Sequence, residues 1–146
     1  MSYVLGNKSK AQLVGVEPRL VAAVVLAISS CESDFSVFDG IRGARQQAYM
    51  VQKGVSKSTN SYHLYGLAVD LVPYFSGRNW WDSTDPSTQK RINKAFKDIH
   101  NAMKAASRIV GISIDNGFDL WGWDNPHWQL TGLRQVYDIR NIKHEL

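Results

Sequence analysis

The sequence predicts a compact α+β domain in which packed helices cover a small, mainly antiparallel sheet. Three observations point there. Apolar residues recur at three- and four-residue intervals along Pro86–Val110, short β-branched or aromatic runs stand apart from it, and regular βαβ alternation is missing. The 146 residues suit one domain, and the 44% hydrophobic content is enough to fill a core.

Each element has a local reason. Ser9-x-x-Gln12 reads as a capping box opening a short first helix that ends near Gly15. Pro18 suits the first position of a second helix, carried by the apolar run Leu20–Ile28. With Lys8, Lys10 and Arg19 ahead of it and Ser29-Ser30-Cys31 behind, that run also imitates a secretory signal. Glu17-Pro18 inside the basic segment favours a core helix, so no signal is expected. The run is also well short of the ~18–20 apolar residues of a membrane span. Phe35-Ser-Val-Phe38 reads as a strand closed by Asp39-Gly40, and Ala44–Lys53 as a helix ending at Gly54. Leu67–Val72 reads as a buried strand stopped by Pro73.

The longest helix opens at Asp85-Pro86. Ile92, Ala95, Phe96, Ile99, Ala102, Met103, Ala106, Ile109 and Val110 form its apolar stripe. Gly111 stops it, and Ile112-Ser-Ile114 opens a further strand. Lys90, Arg91, Lys94, Lys97, Lys104 and Arg108 lie on this helix against a single acid, Asp98, and read as a solvated face.

Seventeen Lys and Arg against 13 Asp and Glu leave a net charge of +4, which favours an anionic partner: nucleic acid, a membrane surface or a wall polymer. No nucleic-acid recognition motif is present. The single Cys31 excludes an intrachain disulfide and any multi-cysteine metal site, and reads as a small core residue. HExxH, GxGxxG, P-loop and GxSxG motifs are all absent.

Two His and two Asp remain as candidates for chemistry. A catalytic zinc takes three nitrogen or oxygen ligands at ~2.0–2.2 Å and keeps a fourth position for water. His63, Asp70 and His127 supply such a set. His63 and Asp70 are seven apart and would face opposite sides of one regular strand, but Gly66 between them can turn the chain. Pro126 argues against a helix holding both Asp124 and His127; a tight turn there leaves His127 as a ligand and Asp124 as general base. Satisfied His–Asp hydrogen bonds are the plainer alternative. His100 and His144 lack carboxylates at comparable spacing and read as ordinary helix or surface residues.

In combination, Ser61-x-His63-x-x-Gly66-x-Ala68-x-Asp70 and Asp124-x-Pro-His127 resemble the signature of the D-Ala-D-Ala carboxypeptidase/L-alanyl-D-glutamate zinc peptidases. Gly40-Ile-Arg42, Gln46 or Gln47, and Gly54-Val-Ser56 resemble the segment upstream of it in that family. The stretch from Ser9 to Val16 resembles the start of its phage endolysin branch. The resemblance implies one zinc on His63, Asp70 and His127, with Asp124 as the acidic base. It also implies Arg42 as a group polarising the scissile carbonyl, although Gly43 replaces a common Thr beside it. Ser61 either orients His63 or binds substrate, with a plain turn residue as the alternative. Trp121, Trp123 and Trp128 flank Asp124 and His127; Trp123 is the candidate for a substrate cleft, and burial in the core is the alternative for most of them.

The implied activity is hydrolysis of the L-Ala–D-Glu bond of bacterial peptidoglycan stem peptides during host lysis. A D-Ala-D-Ala carboxypeptidase or a non-catalytic wall-binding domain is the alternative. The implied protein is a monomer, one catalytic domain over residues 1–146 without a separate wall-binding module. It would be held in the host cytoplasm until lysis and then act in the periplasm.

Overall fold

The computed structural model describes residues 2–40, 63 and 66–131. These contain four helices, α1 (Asn7–Gln12), α2 (Pro18–Ser30), α3 (Pro86–Val110) and α4 (Gly117–Trp121). The five strands are β1 (Phe35–Asp39), β2 (Ala68–Phe75), β3 (Arg78–Asn79), β4 (Ile114–Asn116) and β5 (His127–Leu130). The sheet runs β1-β2-β5-β4 with every pairing antiparallel, and β3 folds back on β2 as a short hairpin. This is the α+β architecture expected from the sequence. The expected helix Ala44–Lys53 lies outside the described residues.

Alternation along the strands divides the sheet into two faces. Val37 opposes Leu71, Val69 opposes Trp128 and Ile114 opposes Leu130, and all six side chains enter the core. Helices α2 and α3 pack on each other, α1 lies against β1, and α3 crosses β2. Leu20, Val24 and Ile28 from α2 meet Ile99, Met103 and Ala106 from α3 in that core. The run that imitated a signal is therefore a core helix. Cys31 is buried beside it, and burial pushes its thiol pKa up, as suits an inert packing residue. The opposite face of the sheet carries Asp70 paired with His127 and Ala68 paired with Gln129.

Helix ends follow local chemistry. Glu17 caps α2 by accepting from Arg19 N at 3.0 Å, with Pro18 next in the chain. Asp85 caps α3 through Thr88 N at 2.9 Å, and Gly111 closes it in the left-handed region. No helix among the described residues is long and apolar enough to cross a membrane.

Four local expectations need correction. Ser9 does not cap α1: Gly6 takes that position, while the buried Ser9 hydroxyl accepts from Val37 N at 3.0 Å and ties α1 to β1. Pro73 does not stop β2, which runs on to Phe75. Pro73 pairs with Phe35 of β1 and its carbonyl accepts from Trp80 N at 2.9 Å, so the strand continues through it although it lacks an N–H. The following strand starts at Ile114, not at Ile112. Finally, Ile109 is 75% exposed. At about 100° per residue it stands ten residues and roughly 80° off the direction of Ile99, on the flank of the stripe.

The stripe therefore contains residues of unequal worth. Ile99→Ala is expected to lose about 2–5 kcal/mol in urea denaturation, because it opens a cavity between α3 and the sheet. Ile109→Ala is expected to stay within about 0.5 kcal/mol of the parent.

Candidate metal centre

The separation of His63 from Asp70 is resolved as the glycine suggested. Gly66 adopts φ 68°, which a side-chain-bearing residue rarely does, and its carbonyl accepts from Glu17 N at 2.8 Å. His63 thus projects from the loop before β2 and Asp70 from the strand itself. Asp124 has φ 65°, a left-handed conformation that Asp tolerates better than most residues. Its carbonyl accepts from His127 N at 3.2 Å, which closes the tight turn into β5. A Cβ on Gly117 would stand 2.9 Å from Asp124 Cβ and 3.0 Å from His127 Cβ. Glycine is therefore required there for the turn to pack against α4, and the Asp124 and His127 side chains start side by side.

The structure brings His63, Asp70 and His127 together, with one ligand atom from each within 4.8 Å of the others. His63 Nε2 lies 3.2 Å from Asp70 Oδ1, and His127 Nδ1 lies 3.4 Å from the same oxygen. Ligands at ~2.1 Å around a tetrahedral metal stand about 3.4 Å apart, so these spacings fit one ion.

The outer hydrogen bonds strengthen that fit. His63 Nδ1 donates to Gly40 O at 2.8 Å, and His127 Nε2 donates to Gln129 Oε1 at 2.9 Å. A neutral imidazole carries one proton, so these bonds leave both inward nitrogens as lone pairs facing a carboxylate. A cation at their centre relieves that repulsion. The residues present thus suit a divalent metal with mixed nitrogen and oxygen ligands, such as zinc.

Around this set, Asn116 is fully buried; its amide donates to Asn125 O at 2.9 Å and to His127 O at 3.1 Å, pinning the turn. The Trp121 ring lies 5.4 Å from His127 and 6.2 Å from Trp123, and both tryptophans are about half exposed. Trp128, by contrast, is a core residue. Arg42 and Ser61 lie outside the described residues, as do Gln46, Gln47, Gly54, Ser56 and His144.

Sequence reasoning missed Gln129 and Asn116, which carry no motif. His100 is a helix residue, as expected, but with a partner the sequence does not show: its Nε2 lies 2.7 Å from Asp119 Oδ2 and its ring 5.4 Å from Trp128. That pair joins α3 to α4, and a 19-residue separation offers no periodic signal for it.

An antiparallel sheet with helices on one face and a His–Asp–His metal-binding set on the other defines the class: an α+β protein built around a candidate divalent-metal site. The comparisons narrow it. The family model for phage L-alanyl-D-glutamate peptidase matches residues 1–142. The chain is 30% identical over 146 residues to the L-alanyl-D-glutamate peptidase of Escherichia phage T5, covering 98% of each. The crystal structure of the Serratia marcescens L-Ala D-Glu endopeptidase ChiX matches with a TM-score of 0.76 at 31% identity, over 92% of this chain and 95% of that one. The chain belongs to the phage L-alanyl-D-glutamate peptidase family.

Replacing the Gln129 amide by an apolar group of similar size removes the acceptor that sets the His127 tautomer. Gln129→Leu is expected to weaken zinc binding about 10–100-fold in chelator competition, with the circular-dichroism spectrum unchanged.

Proposed function

We propose that this protein is a zinc endopeptidase that hydrolyses the L-Ala–D-Glu bond of peptidoglycan stem peptides during host lysis. One observation carries the reading: two oriented histidines and a carboxylate converge within 4.8 Å of one another, both histidines 3.2–3.4 Å from one Asp70 oxygen, in a chain of this peptidase family. His63, Asp70 and His127 would hold the ion. When bound there, zinc supplies a Lewis acid for the scissile carbonyl and lowers the pKa of water towards ~7.

The chain's own groups perform the proton transfers. Asp124, beside His127 in the turn, accepts a proton as water adds to the L-Ala carbonyl carbon. It returns that proton to the D-Glu nitrogen as the C–N bond breaks. Arg42 is assigned to the carbonyl oxygen on the strength of the sequence resemblance, adding a positive charge where the oxyanion develops. Ser61 is assigned to orienting His63 or to the substrate on the same basis. The exposed Trp123, next to Trp121, offers a wall for the peptide on the His127 side.

The net charge of +4 favours approach to an anionic envelope. The partner is therefore bacterial peptidoglycan, reached from the host cytoplasm at lysis.

Purified peptidoglycan digested with metal-free and zinc-restored protein tests the reaction. Mass spectrometry should find new D-Glu amino termini only after zinc is restored; release of terminal D-Ala instead points to the carboxypeptidase reaction. Asp124→Asn should retain zinc and lose about 10²–10⁴-fold in turnover, whereas His63→Ala should lose the metal as well. A fully active Asp124→Asn protein would remove Asp124 from the proposed mechanism.

A further inference from the structure

Two aromatic residues on segments adjoining β2, the strand that carries Asp70, contribute little to the core. Phe38 is 49% and Trp81 43% exposed, yet their rings pack edge to face with centroids 4.8 Å apart. Phe38 occupies the irregularity in β1, between Val37, which pairs with Leu71, and Asp39, which pairs with Asp70. Val37 and Leu71 face the helices, so Asp70 projects from the other face, and the exposed Phe38 stands at the irregularity beside Asp39, the partner of Asp70. Such a bulge re-aims a side chain and recurs beside active sites.

Trp81 follows a well-supported hairpin. Trp80 donates its backbone N–H to Pro73 O and its indole N–H to Phe75 O, each at 2.9 Å, and stacks on the Phe75 ring at 4.9 Å. Arg78 lies over Trp80 and Arg91 over Phe75, each 4.1 Å from the ring centroid. Exposed aromatic surface held this firmly marks a contact surface.

Resting on the peptidase reading, we propose that Phe38 and Trp81 form a sugar-binding subsite for the glycan residue that carries the stem peptide. The L-Ala of a stem peptide is amide-linked to the lactyl group of a muramyl sugar. A substrate with its L-Ala–D-Glu bond over the metal residues therefore carries a pyranose ring about two residue lengths, ~7 Å, upstream. Adjacent strands stand ~4.8 Å apart, which puts the Phe38 backbone about one strand step from Asp70, a spacing of the same order as the sugar's offset, and Trp81 packs on the Phe38 ring. The electron-rich indole face suits the C–H-lined face of a pyranose. Trp121 packs against His127 itself, within reach of the residues flanking the scissile bond, and so lies too close for the sugar.

The experiment compares two substrates, a disaccharide–tripeptide and the same tripeptide without sugar, on zinc-loaded protein. The parent is expected to show a KM about tenfold lower for the sugar-bearing substrate. Trp81→Ala should raise that KM about tenfold and change the sugar-free KM less than about twofold, while Trp81→Phe keeps most of the preference. Equal effects on both substrates, or no effect on either, would overturn the subsite. So would a preference that survives Trp81→Ala and disappears in Trp123→Ala. A parent protein that leaves the L-Ala–D-Glu bond of both substrates intact overturns the peptidase reading itself, which separates the two failures.

Discussion

The antiparallel pairing of β2 with β5 carries the rest of the structure, because it seats Asp70 directly opposite His127 while turning the residues on either side into the core. Val69 and Leu71 flank Asp70, and Trp128 follows His127; all three neighbours are almost fully buried. A slip of one residue in this register would exchange the faces, putting the carboxylate among the helices and an aliphatic side chain at the metal centre. The hydrophobic core thus selects the register, and the register positions the ligands. Stability and chemistry are coupled through the same backbone hydrogen bonds.

The remaining parts of the centre come from loops held by that frame. His63 reaches it only because the chain reverses at Gly66 and because Gly40 offers a carbonyl to the outer nitrogen. The turn before β5 needs a left-handed Asp124, a glycine at 117 and the buried Asn116 amide to hold its carbonyls. Each of these groups costs conformational freedom or desolvation that packing elsewhere offsets. The result is two imidazoles with their protons committed outward, an arrangement suited to a cation rather than to ordinary His–Asp hydrogen bonds.

Legibility varied with the range of the interaction involved. Helix α3 was readable because its cap, stripe and stop are all local in sequence, and only the flank position of Ile109 departed from the stripe. Pro18 identified the start of α2 for the same reason. Ser9 misled because a short hydroxyl side chain suits both a helix cap and a bond to a distant strand, and only the approach of Val37 decides between them. Pro73 misled because its carbonyl and its neighbours still pair with β1 and the β3 hairpin, which hold the strand although one N–H is missing. The His100–Asp119 pair carried no signal, since it becomes meaningful only across two helices, whereas Gln129 stands two residues from His127 on one strand and could have been found from that period-two spacing. The separation of Trp128 from Trp121 and Trp123 likewise followed from strand alternation and the α4 turn, not from residue type.

By itself the sequence determined the fold class, the boundaries of the two long helices and the identity of the residues able to bind metal. Those properties reside in the spacing of apolar side chains, in caps, and in the donor chemistry of His and Asp, all set within a few residues. Tertiary structure alone decided which nitrogen of each histidine faces inward, which tryptophan is buried, and which exposed aromatics stand beside the centre. Except for Gln129 beside His127, these depend on partners 20 to 60 residues away, such as Gly40 for His63 and His127 for Asp70, that meet only when the sheet closes its register.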